Sequence, residues 1–150
     1  MSGLRQRAWW ILVAFAGAIV IFGAQDVVFG ASADRAIALG LTGRTHEELL
    51  AGSTDTYRMY DFTARTQALT LVAAGVLLLG VLLVPYRRGE RWAWRLMWVL
   101  PVWALSVPAM YLIYGLVPDA PPPPPLISGA IFGGLAIVVL FADHRRFAVV

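Results

Sequence analysis

The chain has 150 residues, of which 59% are hydrophobic and 14% charged, with a formal net charge of +3; this is too apolar for a soluble domain and sized for a single unit, residues 1–150. All twelve basic residues are Arg and there is no Cys, which excludes Lys Schiff-base or general-base chemistry, disulfides, thiolate metal sites and iron–sulfur clusters. The positive charge is not a nucleic-acid signature, because most of the Arg residues flank apolar runs, where they act as topology signals.

A hydrocarbon core about 30 Å thick needs about 20 apolar helical residues, and four runs approach that length: 9–29, 66–84, 92–117 and 126–142. The predicted fold class is therefore all-α, an integral membrane four-helix bundle. Arg5 and Arg7 precede the first run, which closes on Gln25 and Asp26, a carboxylate about one turn from its end. Together with Ala31-Ser32-Ala33, this N-terminal pattern also resembles a secretory signal cleaved after Ala33. A signal core spans about 7–15 residues; the run here is longer, so the expectation is a retained span.

The first connection holds about 35 residues, more than a turn requires. Thr45-His46-Glu47-Glu48 fits a capping box and predicts a short helix ending at Gly52. Ser53, Thr54 or Asp55 then caps a second start, and from Tyr57 the pattern runs without a breaker into span two. On that segment Arg58, Asp61 and Arg65 recur at spacings of three and four, which puts them on one helical face. Tyr57, Tyr60 and Phe62 form an expected aromatic belt at one interface, and Trp9, Trp10, Tyr86, Trp92 and Trp94 at the other.

The second connection is short. Pro85 is expected to end a helix and Gly89 to permit the reversal, while Arg87, Arg88, Arg91 and Arg95 act as a topology anchor and as candidate contacts for anionic lipid. In span three, Pro101 and Pro108 each remove a backbone hydrogen bond and predict kinks, which leaves open whether a cavity forms there. The third connection carries Asp119 and five successive prolines, Pro121 to Pro125, read as a stiff polyproline strut of about 15 Å rather than a recognition motif. Span four reads as short and presents Gly129, Gly133 and Gly134 as a small face for close helix packing, inside the chain or across a homodimer. Arg145 and Arg146 follow it. The Arg distribution places both termini and the second connection in the cytoplasm of a bacterial cell, and the first and third connections outside.

Counting along the helices puts Asp26 and Arg65 at the same outer level. Two readings follow: an ion pair of Asp26 with Arg65 or Arg58 that pins span one to span two, or a polar rim of Asp26, Gln25, Tyr57, Arg58, Tyr60, Asp61 and Arg65 around an outward-facing pocket. A third gives Asp26 and Gln25 to a helix of another protein. No catalytic constellation appears: His46 and His144 fall on opposite sides of the membrane and cannot share a metal, Ser106 and Ser128 are lone hydroxyls, and Glu47 and Glu48 diverge on a helix. No cofactor and no metal site is expected.

The layout of four spans, both ends inside and polar residues at the outer ends of spans one and two, resembles that of the DoxX-like group of small bacterial membrane proteins. That resemblance rests on topology alone and implies an association with membrane redox processes. The functional expectation is a non-enzymatic protein of the inner membrane, an accessory or self-associating subunit with a membrane-protein partner or a second copy. The alternative is a binder or carrier of lipid or quinone near Asp26, and a more distant one a dimeric proton-coupled exporter, for which Asp26 lies too near the outer end.

Overall fold

The computed structural model describes residues 8–33, 35–118 and 120–148; Arg5, Arg7, Asp34 and Asp119 lie outside them. The described residues are helical, with no strand. The long first apolar run forms α1 (Trp9–Phe29), which ends in a 3-10 turn at Gly30–Ser32. Then come α2 (Arg35–Thr42), α3 (His46–Gly52), α4 (Thr54–Val81), α5 (Arg91–Met97), α6 (Val99–Tyr114) and α7 (Pro124–Ala148). Four helical segments, Trp9–Ser32, Thr54–Tyr86, Arg91–Tyr114 and Pro124–Phe147, are long and apolar enough to cross a membrane.

Local chemistry explains most boundaries. The capping box at α3 is complete: Glu48 N donates to Thr45 Oγ1 at 3.2 Å while Thr45 N donates to Glu48 Oε2 at 2.7 Å. Ser53 Oγ then accepts from Thr56 N at 3.3 Å and starts α4. The sequence reading missed α2, an amphipathic helix of eight residues that is too short to stand among the long apolar runs; its end is set by Gly43 at φ 68°. Pro85 does not stop the second span. Having no amide to offer the preceding turn, it widens the helix into a π turn over Leu82–Tyr86. Span three breaks at Trp98, because Pro101 three residues on has no N–H for the carbonyl of Met97, and it ends at Tyr114, before Val117. Pro108 is accommodated within α6.

Span four is not short. It runs 25 residues, from Pro124 to beyond Arg146, because a helix needs no uncharged run to satisfy its own backbone. The last two prolines of the loop open this helix, where a missing N–H is harmless and a fixed φ is pre-organised. The remaining strut is Pro121–Pro123, and buried Pro123 rests against Gly40 of α2, where an added methyl would stand 2.6 Å from Pro123 Cγ. Val117 N donates to Gly40 O at 2.9 Å, so the third connection is seated on the first.

The main packing partners are α1 with α4 and α6 with α7. The first contact closes at Gly23 against Ala68 and Val72, and at Gly75 against Ile19 and Val20. The second closes at Gly129, whose Cα faces the carbonyl of Ala104 and the ring of Pro108, and at Gly133 against Leu105. The small face of span four is thus used within the chain. Gly134 has open space instead, since a helix turns about 100° per residue and carries it off the packed face of α7. A single apolar core joins both pairs, built from Leu12, Phe15, Ala16, Leu82, Met97, Leu100 and Leu140 among others. It lies toward the end that carries Arg87, Arg91 and Arg146, and away from the loop end.

Replacing Gly133 by Leu should destabilise the α6–α7 contact by about 1–3 kcal/mol, read as a lower midpoint in detergent unfolding followed by circular dichroism. Gly134→Leu should leave the midpoint unchanged.

Candidate functional site

The polar residues singled out in the sequence gather at the loop end, but in a different combination from either expected pairing. Arg65 Nε donates to Asp61 Oδ2 at 2.8 Å, one turn away on α4. Its Nη1 donates to the carbonyls of Val27 at 2.6 Å and Val28 at 2.8 Å, in the last turn of α1. The other oxygen of Asp61, Oδ1, accepts from Ala31 N at 2.9 Å. Two side chains of α4 thereby cap the C-terminus of α1: the cation takes orphan carbonyls and the anion takes the amide just beyond them.

Gly30 makes this approach geometrically feasible. It sits at φ 58°, where side chains are disfavoured, and a Cβ there would collide with Asp61 Oδ1 and stand 2.8 Å from Arg65 Nε. Ile19 and Gly23 of α1 and Gly30 just beyond it therefore meet α4 closely, and the clamp closes the final turn of α1.

Asp26 takes no part in the clamp. Its backbone carbonyl accepts from Gly30 N, while its half-buried carboxylate forms no hydrogen bond or ion pair among the described residues. The expected pin to Arg65 is not made, because Asp61 and the α1 carbonyls already occupy that guanidinium. Gln25 beside it is exposed, and Arg58 is exposed and forms no salt bridge among the described residues. Tyr57 turns away from the rim to His46: its hydroxyl lies 2.9 Å from His46 Nε2, with the rings edge-on. That contact fixes α3 on the start of α4. His46 Nδ1 is buried without a hydrogen-bond partner among the described residues. Arg35 and Glu47 add a ship-to-shore link between α2 and α3 at 3.4 Å, and the Glu47 carboxyl is held below the usual range by a hydrogen bond from its own backbone amide and by Arg35.

An apolar groove of about 340 Å³ opens at the same end, lined by Leu41, Ser106, Val107, Met110, Tyr111 and Tyr114. It borders Pro108 and contains none of the predicted rim residues. No cluster of three or more metal-ligating side chains occurs among the described residues.

At the Arg-rich end the structure reveals a polar pair that the sequence reading missed. Tyr86, fully buried and so no member of an interfacial belt, donates its hydroxyl to Asp143 Oδ2 at 2.8 Å. Asp143 is the buried charged residue among those described, 6% exposed. Trp9 is likewise buried, and Trp94 reaches inward to donate Nε1 to Leu140 O at 3.0 Å. These contacts fasten α7 to the π turn of α4 and to α5. The proximity of Pro85-Tyr86 to a span boundary and the lone carboxylate of Asp143-His144-Arg145-Arg146 were the available signals.

No protein-family model, no curated protein and no solved structure matches the chain.

Gly30→Ala and Arg65→Met should each loosen the loop end, at about 1–3 kcal/mol apiece for a lost charged hydrogen-bond set, with hydrogen exchange rising at Val27 to Ala31 first. Tyr86→Phe leaves Asp143 buried without its donor and should cost a comparable amount, measured as the unfolding midpoint against a Tyr114→Phe control at an exposed tyrosine.

Proposed function

We propose that this chain is a non-enzymatic protein of the bacterial inner membrane, a four-helix bundle with both termini cytoplasmic, which serves as an accessory or self-associating subunit. One observation carries the reading: Asp26, a carboxylate near the end of a membrane-length helix, has no polar partner among the described residues, and Arg65, the cation nearest in level, is committed elsewhere. Ionisable groups at membrane depth are costly unless a partner is supplied. Exposed Gln25 stands beside it, and Phe22, Val28 and Phe29 leave a large apolar surface on the same turns of α1. A helix of another membrane protein, or of a second copy, answers both the polar and the apolar part of this surface. Retention of the first span fits the same picture, because cleavage after Ala33 would remove the helix on which α4 packs.

The groove beside Pro108 favours a second reading. Its apolar lining with Tyr111, Tyr114 and Ser106 suits a lipid tail or a quinone ring better than a polar solute. This ligand reading is independent of Asp26, and a quinone would suit the redox association that the resemblance in layout to DoxX-like proteins implies.

The absence of Cys makes single-cysteine crosslinking direct. Cysteines placed at Phe22, Gln25 and Phe29 should give a discrete adduct in native membranes, either a dimer or a band of one other mass, while Val138→Cys on α7 gives none. Equal labelling at all four positions, or at none, would refute the docking surface.

A further inference from the structure

The two Arg-rich segments, far apart in sequence, form one patch. Arg146, in the last turn of α7, donates from Nη2 to the carbonyl of Arg87 across 59 positions. Arg91 Nε donates to Phe147 O at 2.8 Å. The fold thus adds Arg145 and Arg146 to the four Arg residues that the sequence groups around the second connection.

The carboxylates at this end form no salt bridge with them among the described residues, although Asp143 lies within electrostatic reach of Arg146. Glu90 Oε2 accepts from Trp92 Nε1 at 2.5 Å, and Asp143 Oδ2 accepts from buried Tyr86. Both salt bridges found among the described residues lie at the loop end, Arg35 with Glu47 and Arg65 with Asp61. Arg87, Arg88, Arg95, Arg145 and Arg146 form none among the described residues and are all exposed. Below this charge, toward the middle of the helices, Leu83, Val84, Leu96 and Phe141 are exposed apolar surface.

We infer that this end is a binding site for an anionic phospholipid, its phosphate held by Arg87, Arg88, Arg145 and Arg146 and its acyl chains lying along Leu83, Val84 and Phe141. Guanidinium forks suit phosphate oxygens, and the adjoining apolar strip matches a ligand whose anion is tied to hydrocarbon. A zwitterionic headgroup brings its own cation and gains less. The site stands apart from the Asp26 surface, so either can fail alone.

The test is lipid titration of the purified full-length chain, read by native mass spectrometry, with phosphatidylglycerol and phosphatidylcholine of equal chain length. Phosphatidylglycerol should bind in preference. Arg88→Gln with Arg145→Gln, which leaves the Arg146–Arg87 and Arg91–Phe147 bonds in place, should weaken that binding about tenfold or more. Arg44→Gln with Arg58→Gln removes the same charge at the loop end and should change nothing. Arg145→Gln alone, in an exposed position, should give a smaller loss in the same direction and serves if the double variant folds poorly. Equal binding of the two lipids, equal loss in both double variants, or displacement of the lipid by inorganic phosphate at matching concentration would each overturn the site.

Discussion

The carbonyls that close a helix have no partner within it, and their satisfaction is the constraint on which the loop end depends. Arg65 meets it for α1 with two bonds from one nitrogen, while Asp61 holds the guanidinium in line and takes the Ala31 amide with its other oxygen. A cation alone would leave the charge uncompensated, and an anion alone would repel the carbonyls. The pair does the work together, and only where Gly30 lets the backbone pass beneath it. Everything distal to that point, the 3-10 turn, α2 and α3, hangs from an α1 end whose position α4 dictates.

The opposite end is held differently. Apolar packing dominates there, and the polar groups are few and buried: Tyr86 with Asp143, Trp94 with the Leu140 carbonyl, Arg91 with Phe147 O. Neutral donors serve the carboxylates, which keeps Arg charge unspent at the surface. At the loop end charges pair with charges. This unequal treatment of the two ends gives the molecule its polarity.

Much of this was legible in the sequence because it is local. Spans emerge from run length, the α3 cap from four adjacent residues, and the Asp61–Arg65 pair from an i, i+4 spacing. What escaped depends on register between distant segments. Nothing in the first span announces that Gly23 and Gly30 face α4, or that Arg65 will choose backbone over Asp26. Tyr86 read as a member of an interfacial aromatic belt, yet it lies buried within the π turn against a carboxylate 57 positions away. Gly134 looked equivalent to its neighbour Gly133 until the packing direction of α7 separated them. The helix α2 was lost for a plainer reason, since its eight residues, though amphipathic, make little more than two turns and fall far short of a span.

The seating of the third connection on the first, through Val117 N on Gly40 O and Pro123 on Gly40, has a bearing on how the molecule is made. A chain synthesised from its N-terminus delivers its early segments first. Gly40 is therefore in place long before Val117 and Pro123 exist, and the lid they form together is completed only when the final span arrives. During that interval the first two spans must recognise each other unaided. All the groups required, Gly23, Val27, Val28, Gly30, Ala31, Asp61, Arg65, Ala68 and Gly75, lie within the first half of the chain, so the earliest helical hairpin carries its own fastening and does not wait for the rest.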